Sequence, residues 1–148
     1  MKIIIEDCRA DEEEEIIIRC KDLDESLLSL IQSLKMGKNK IAVTHNGNTT
    51  MVEPKDVFYF EAVDNRIFLY TKQEVYETKL RLYEIEKRYE GTDFLRTSKS
   101  TIINISKIKY VSPAYSGRLE ALLKNGEKII ISRQYVGELR KKLEVLGG

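Results

Sequence analysis

The sequence predicts a mainly β fold (α+β) with small helices, preceded by a small strand–strand–helix appendage. Short runs of β-branched and aromatic residues recur at regular intervals from Ile41 onward, and turn sequences such as Asn46-Gly47 and Asn125-Gly126 separate them. Apolar residues at helical spacing occupy only short stretches between these runs. The 148 residues, 42% hydrophobic and 33% charged, suffice for one ordinary domain with a small appendage.

The appendage is predicted from two isoleucine runs and a leucine stripe. Ile3 to Ile5 and Ile16 to Ile18 suit two strands joined by the acidic stretch Asp11 to Glu15. Asp24 then caps a helix that stops at Gly37. The leucine stripe of this helix is either core packing or a dimer surface.

The charge distribution supports a boundary between residues 1–37 and residues 38–148. Residues 1–36 carry 5 basic and 10 acidic side chains, a balance of −5, whereas residues 37–91 carry 9 of each. Residues 92–148 carry 11 basic and 5 acidic side chains, a balance of +6, although the whole chain is only +1. The last third would attract a polyanion, unless its basic surface is merely a solvated one.

The middle of the chain is predicted to be a meander of hairpins followed by a helix. The predicted strands are Ile41–Thr44, Thr49–Val52, Val57–Ala62, Ile67–Thr71 and Glu74–Thr78. Turns are expected at Asn46–Asn48 and Asp64–Asn65. Residues 80–90 change to a helical period, with Leu82, Ile85 and Tyr89 on one face.

The last third returns to strands and ends in a helix. The predicted strands are Leu95–Arg96, Thr101–Asn104, Ile108–Pro113, Arg118–Leu123 and Lys128–Ser132. Ser132 is expected to cap a closing helix from Arg133 to Leu146. Its face formed by Val136, Leu139 and Leu143 should pack on the sheet.

Composition and motifs exclude several classes of protein. No apolar run is long enough to span a membrane and no secretory signal is visible, so we expect a cytoplasmic protein. Cys8 and Cys20 are interpreted as buried thiols rather than a redox pair. His45 is the single histidine, and neither zinc-binding spacings nor a glycine-rich phosphate loop is present. We therefore expect no enzyme, no cofactor and no metal site.

Two polar segments in the last third differ from plain structural strands. Between Phe94 and Asn104 an apolar strand gives way to hydroxyl side chains around Lys99, which could donate to phosphate oxygens and reach a base edge. A polar turn is the alternative. Further on, a strand ends at a helix start bearing Arg133 and Gln134, where free backbone N–H groups suit phosphate and an arginine can pair with guanine.

Three segments together resemble the LytTR (LytR/AlgR-type) DNA-binding domain. They are Val57–Ala62, Phe94–Ile108 and Ile131–Tyr135, and the resemblance covers about residues 40–145. It implies an elongated set of β-sheets with small helices that binds imperfect direct repeats in double-stranded DNA through loops in successive major grooves. It also implies a bacterial transcription regulator.

The resemblance and the two segments together indicate DNA contacts. By position, family contact points fall on Asn65, Arg66, Lys99 and Arg133, which we expect to read bases. Phosphate contacts are expected from the flanking donors Arg96, Thr97, Ser98, Ser100, Ser132 and Gln134.

The sequence differs from many relatives in what precedes the DNA-binding part. About 37 residues cannot form a phosphorylatable receiver domain, so we expect regulation by protein level, by a partner or by a homodimer formed through residues 1–37. One alternative function is a protein-interaction module that modulates another regulator and binds no DNA. A second is an RNA-binding β domain, although Tyr59, Phe60, Phe68 and Tyr70 are spaced as core residues.

Overall fold

A computed structural model describes residues 2–37 and 40–147. It contains three helices, α1 (Glu25–Gly37), α2 (Leu82–Arg88) and α3 (Val136–Gly147). The ten strands are β1 (Ile41–His45), β2 (Asn48–Val52), β3 (Tyr59–Val63), β4 (Arg66–Tyr70), β5 (Val75–Thr78), β6 (Phe94–Arg96), β7 (Thr101–Asn104), β8 (Ile108–Pro113), β9 (Leu119–Leu123) and β10 (Lys128–Ile131). Within these residues no helix is both long and apolar enough to cross a membrane.

The strands form two antiparallel sheets. The larger sheet has seven strands in the order β2-β1-β5-β4-β3-β7-β6, and the smaller has three in the order β10-β9-β8. Two-residue turns with positive φ join β1 to β2, at Asn46 and Gly47 (φ 51° and 79°), and β3 to β4, at Asp64 and Asn65 (φ 50° and 63°). Such turns match the right-handed twist of the flanking strands, as the turn sequences predicted.

The predicted mainly β class is confirmed, with changes at element ends. Helix α2 begins later than predicted because the backbone N–H of Arg81 donates to the Glu84 carboxylate (3.2 Å), which marks its first turn. Ser132 does not cap a helix with its side chain. A 3-10 turn over Arg133–Tyr135 comes first, and α3 begins only at Val136.

The N-terminal segment differs from the prediction. Its helix forms, and Asp24 caps it by accepting a hydrogen bond from the N–H of Leu27 (2.8 Å). The two strands predicted at Ile3–Ile5 and Ile16–Ile18 are absent, because residues 2–24 carry no helix or strand. An isolated two-stranded hairpin is at best marginally stable in water. Cys8 and Cys20 are exposed, so the prediction of buried thiols is wrong.

Two hydrophobic cores lie on opposite faces of the larger sheet. On one face, α2 buries Leu82, Ile85 and Tyr89 against Phe60 of β3 and Ile102 of β7. The remaining buried members of that core are Ile41, Val43, Val52, Val57, Ile67, Leu69 and Phe94. The predicted apolar face of the middle helix is therefore confirmed.

The second core joins the larger sheet to the smaller one. It contains Tyr59 of β3 and Ile103 of β7, each the chain neighbour of a residue in the first core. Since successive side chains of a strand point to opposite faces, the two strands serve both cores. The other buried members are Phe58, Ile105, Leu119, Ala121, Leu123, Ile131 and Leu139, with Val136 and Leu143 packed at its margin.

Polar contacts also connect the two sheets. The Tyr59 hydroxyl donates to Glu127 Oε2 (2.5 Å), which lies beside the β9–β10 turn, and its ring stacks on Tyr70 at a centroid distance of 4.2 Å. Burial, with the hydrogen bond to Glu127, raises the pKa of Tyr59, so the hydroxyl stays a donor throughout the physiological pH range.

Asn104 is a buried polar residue at the end of β7. Its side chain forms hydrogen bonds with the segment before β3 and with the segment after β7. Its Nδ2 donates to the Val57 carbonyl (2.8 Å), while its Oδ1 accepts from the N–H (3.1 Å) and the hydroxyl (2.7 Å) of Ser106. Only 1% of Asn104 is exposed and Val57 is fully buried, so neither the Asn104 amide nor the Val57 carbonyl could turn to water if its partner were lost.

We therefore expect Asn104→Ala to lower the free energy of unfolding by about 2 to 4 kcal/mol, because the buried Val57 carbonyl loses its hydrogen-bond donor. Asn48→Ala is the matched control, since its exposed side chain in β2 should matter by less than about 0.5 kcal/mol. Urea denaturation followed by circular dichroism measures both. Equal, small losses would show that Asn104 is not a structural anchor.

Candidate nucleic-acid interface

Backbone hydrogen bonds bring three polar loops side by side. The N–H of Ala62, at the end of β3, donates to the carbonyl of Ser100 (2.8 Å). The N–H of Ser132, just after β10, donates to the carbonyl of Thr97 (2.8 Å). The β6–β7 loop therefore lies between the β3–β4 turn and the start of the 3-10 turn that follows β10. The loops that the sequence singled out form one continuous row.

The first loop is the turn at Asp64 and Asn65, which continues into Arg66. The exposed Arg66 guanidinium forms a fork with Glu77 of β5, from Nε to Oε1 (2.7 Å) and from one terminal nitrogen to Oε2 (3.1 Å). Its charge also lies 5.1 Å from the centre of the Phe68 ring. The hydrogen bond raises the pKa of Arg66 and lowers that of Glu77, so both stay charged.

An open cavity of about 330 Å³ lies beside this turn. The charged and polar side chains around it are Asn65, Arg66, Glu77, Lys79 and Arg81, with Thr44 and Thr78 from β1 and β5. Three of the four charged residues are cationic. The cavity therefore extends the polar surface of the first loop with further basic groups.

The second loop, Thr97 to Ser100, is held by Arg96. The Arg96 guanidinium donates to the carbonyl of Ser98 (2.7 Å) and to the carbonyl of Lys99, and it forms an ion pair with Glu86 of α2 (2.9 Å). The backbone N–H of Ser100 donates to the Ser98 hydroxyl (3.2 Å). These contacts leave the side chains of Lys99 and Ser100 exposed.

Two of the predicted phosphate donors in this loop do not face outward. Thr97 is fully buried and its hydroxyl donates to the Thr101 carbonyl (3.5 Å), so in this conformation it does not offer the phosphate donor that was predicted. The Arg96 side chain is only 20% exposed and all three of its nitrogens are engaged. Its geometry fits support of the loop better than direct contact with DNA.

The third loop presents Ser132, Arg133 and Gln134. Ser132 is half-buried, whereas Arg133 and Gln134 are exposed at the start of the 3-10 turn. A Cβ atom placed on Gly117 would lie 3.0 Å from Cδ and 3.3 Å from Cγ of Arg133. The aliphatic part of Arg133 therefore rests on the backbone of the β8–β9 turn.

Sequence reasoning missed this support from the β8–β9 turn. Ser116 and Gly117 both have positive φ (59° and 74°), and Tyr115 beside them is 90% exposed. The signal available was a serine–glycine pair next to a tyrosine between two strands. Nothing in the sequence places that turn against Arg133, since the two lie in different hairpins.

The cations of the row differ in whether a carboxylate already binds them. Arg66 is paired with Glu77 and Arg96 with Glu86. In the part of the chain that the structure describes, Lys99 and Arg133 have no salt bridge. An incoming anion could bind these two without first displacing a carboxylate.

Comparison with known proteins places this row of loops in a family. The family model for the LytTr DNA-binding domain matches residues 47–144, which include all three loops and both sheets apart from β1. The chain belongs to the LytTr DNA-binding domain family. This is a family of DNA-binding domains, as the three sequence segments indicated.

A solved structure and two curated relatives agree with the family. A LytTr DNA-binding domain from Bacillus cereus superposes with a TM-score of 0.68 at 26% identity, covering 72% of this chain and 98% of that one. The sensory transduction protein LytT of Bacillus subtilis is 28% identical over 137 residues, 91% of this chain and 57% of the relative. LytT of Enterococcus faecalis is 32% identical over 93 residues, 63% of this chain and 38% of the relative. The chain thus spans about half the length of these relatives.

A shorter relative is also similar. An uncharacterized HTH-type transcriptional regulator of Staphylococcus aureus is 28% identical over 95 residues, which are 64% of each chain.

The clamp formed by Arg96 predicts a measurable effect on the second loop of this LytTr domain. Arg96→Lys keeps the charge but cannot donate from three nitrogens in a planar fork. We expect hydrogen exchange of the amides of Ser100 and Ala62, which donate within the loop and to its end, to accelerate about tenfold or more, since local opening becomes easier by about 1.4 kcal/mol. Arg140→Lys, on the exposed side of α3, is the control and should leave these amides unchanged. Unaltered exchange in both variants would contradict the clamp.

Proposed function

We propose that this protein is a sequence-specific regulator of transcription that binds double-stranded DNA through the row of three loops. The single observation that carries the proposal is that two inter-loop hydrogen bonds align the β3–β4 turn, the β6–β7 loop and the start of the post-β10 turn. Base edges in a major groove are read by protruding side chains held in register, and this row supplies them. The names of the bacterial relatives support a regulatory role.

In this proposal four residues read bases. Arg133 and Arg66 can each donate two hydrogen bonds to guanine O6 and N7, Lys99 can donate to the same acceptors, and Asn65 can pair with adenine. Arg133 and Lys99 carry no salt bridge in the described chain, so they bind at no cost in broken ion pairs. Arg66 must break its ion pair with Glu77 before it can bind a base, so its contribution to the binding free energy is smaller.

The phosphate contacts come from the exposed or half-exposed donors around these residues. They are Ser98, Ser100, Ser132 and Gln134. Arg96 acts as a positioning residue, because its guanidinium holds the carbonyls of Ser98 and Lys99. The proposed target is a pair of imperfect direct repeats in a promoter, bound by a cytoplasmic homodimer without a cofactor and without catalysis.

The burial of aromatic residues argues against single-stranded RNA as the target. Stacking platforms expose aromatic rings on a sheet surface. Here Phe60 is fully buried, Tyr59 is 7% exposed, and Phe68 and Tyr70 are half-buried. A strong preference for duplex over single strands is therefore expected.

Arg133→Ala tests the proposal most directly. With duplexes selected by the purified protein from a random pool, the variant should lose about 1 to 3 kcal/mol on the selected sequence and much less on scrambled DNA. Arg140→Ala removes the same charge from the exposed side of α3 and should weaken both DNAs alike, if at all. Electrophoretic mobility shifts across a salt series measure the affinities.

Two outcomes of this experiment would overturn the proposal. Equal losses on selected and scrambled DNA for Arg133→Ala would show that Arg133 does not read a base. Failure to enrich any duplex from the pool would favour a protein that acts on another regulator without binding DNA itself.

Gly117→Ala tests whether the β8–β9 turn positions Arg133. The new Cβ would push against Cδ and Cγ of Arg133, so affinity for the selected duplex should fall about fivefold or more, by roughly 1 kcal/mol. Gly47→Ala is the matched control, because Gly47 has a similar φ of +79° but open space around it. Both variants should lose similar stability on heating. Equal DNA affinity in the two would contradict a positioning role for Gly117.

A further inference from the structure

Six isoleucines before α1 are exposed although they occur in two consecutive runs. Ile3, Ile4 and Ile5 are 84%, 66% and 89% exposed. Ile16, Ile17 and Ile18 are 54%, 65% and 37% exposed. Single exposed apolar residues are ordinary, whereas a large contiguous apolar patch is typical of a surface that another molecule covers.

Each isoleucine run is bounded by one basic and one acidic residue. The first run lies between Lys2 and Glu6, and the second lies between Glu15 and Arg19. In an antiparallel strand pair, residues at opposite ends of the two strands face each other. The charges at the ends therefore determine which pairings are favourable.

If the two isoleucine runs of one chain paired as a hairpin, like charges would lie opposite each other. The register that aligns all isoleucines puts Lys2 opposite Arg19 and Glu6 opposite Glu15. A shift by one residue would place isoleucines opposite charged side chains and turn one run to the other face relative to its partner. Like charges directly opposite each other destabilise a strand pair. This agrees with the absence of both strands in the single chain.

If each run paired with the same run of a second chain, opposite charges would face each other. Around a two-fold axis at Ile4, Lys2 of each copy faces Glu6 of the other. Around the same axis at Ile17, Glu15 of each copy faces Arg19 of the other. Each run is thus complementary to itself in the antiparallel orientation, which is the requirement of an isologous interface.

We propose that a second copy of this chain covers the isoleucine runs, with residues 15–19 and residues 2–6 each forming an antiparallel strand pair with the same residues of the partner. A single two-fold axis can relate both strand pairs only if the two pairs stack on each other as two layers. This stacking buries one apolar face of each strand pair. Leu28 and Leu30 of α1, which follow in the chain, are exposed as well and offer further apolar surface. The inference specifies the interface of the proposed homodimer and rests on that part of the proposed function.

Charge reversal distinguishes this interface from a hairpin within one chain. Arg19→Glu would place Glu15 and the new acidic side chain opposite each other twice in the dimer. We expect dimerisation to weaken about tenfold or more, and Glu15→Lys combined with Arg19→Glu should restore it because the opposite charges are exchanged. In a hairpin the same Arg19→Glu change would instead remove the repulsion with Lys2. Lys72→Glu, an equal charge change in the turn before β5, is the control.

Sedimentation equilibrium of the full chain without DNA measures the dissociation constants. A dimer at micromolar concentration that Arg19→Glu weakens, the double variant restores and Lys72→Glu leaves unchanged is the expected result. A dimer whose dissociation constant is the same in all three variants would overturn this interface, although the homodimer itself would stand. A monomer at every concentration would overturn both, and selection of a duplex by the monomer would show that DNA binding stands independently.

Discussion

The structure depends on two adjacent interior strands of the larger sheet that are buried on both faces. In β3 and β7, Phe60 and Ile102 pack toward α2, whereas their neighbours Tyr59 and Ile103 pack toward the smaller sheet. Because alternate side chains of a strand point to opposite faces, one pair of strands fastens both cores. The β3–β4 turn, which follows β3, and the β6–β7 loop, which precedes β7, are therefore attached to strands that are packed on both faces.

This constraint is what makes the row of loops suitable for recognition. The β6–β7 loop leads into β7, and its ends accept hydrogen bonds from Ala62 on one side and Ser132 on the other. Arg96 fixes the loop carbonyls from within. Flexible surface side chains such as Lys99 are thereby carried on backbone of defined position, which lowers the entropy lost when they bind. The chemistry of the site is spread over three hairpins, so no single element contains it.

Charge is arranged in two ways along this surface. Glu77 and Glu86 hold Arg66 and Arg96, while Lys99 and Arg133 have no carboxylate partner in the described structure. Exposed ion pairs add little to stability, so their effect here is to orient the guanidinium groups. Among the described residues, the acidic N-terminal segment forms no ion pair with the loops, and its ion pairs to Arg9 stay within residues 9–12.

The sequence by itself determined the class of fold, nearly all strand positions from Ile41 onward and the loops of interest, because alternation, turn residues and helical spacing are local signals. It also determined that Asp24 starts a helix. Only the tertiary structure decided that Thr97 is buried, that Arg96 clamps its own loop and that Gly117 supports Arg133, because these contacts join residues distant in sequence or depend on which way one side chain turns. For the isoleucine runs both levels matter. Their β propensity is a local property of the sequence, but a strand also needs a partner strand, and the single chain does not provide one.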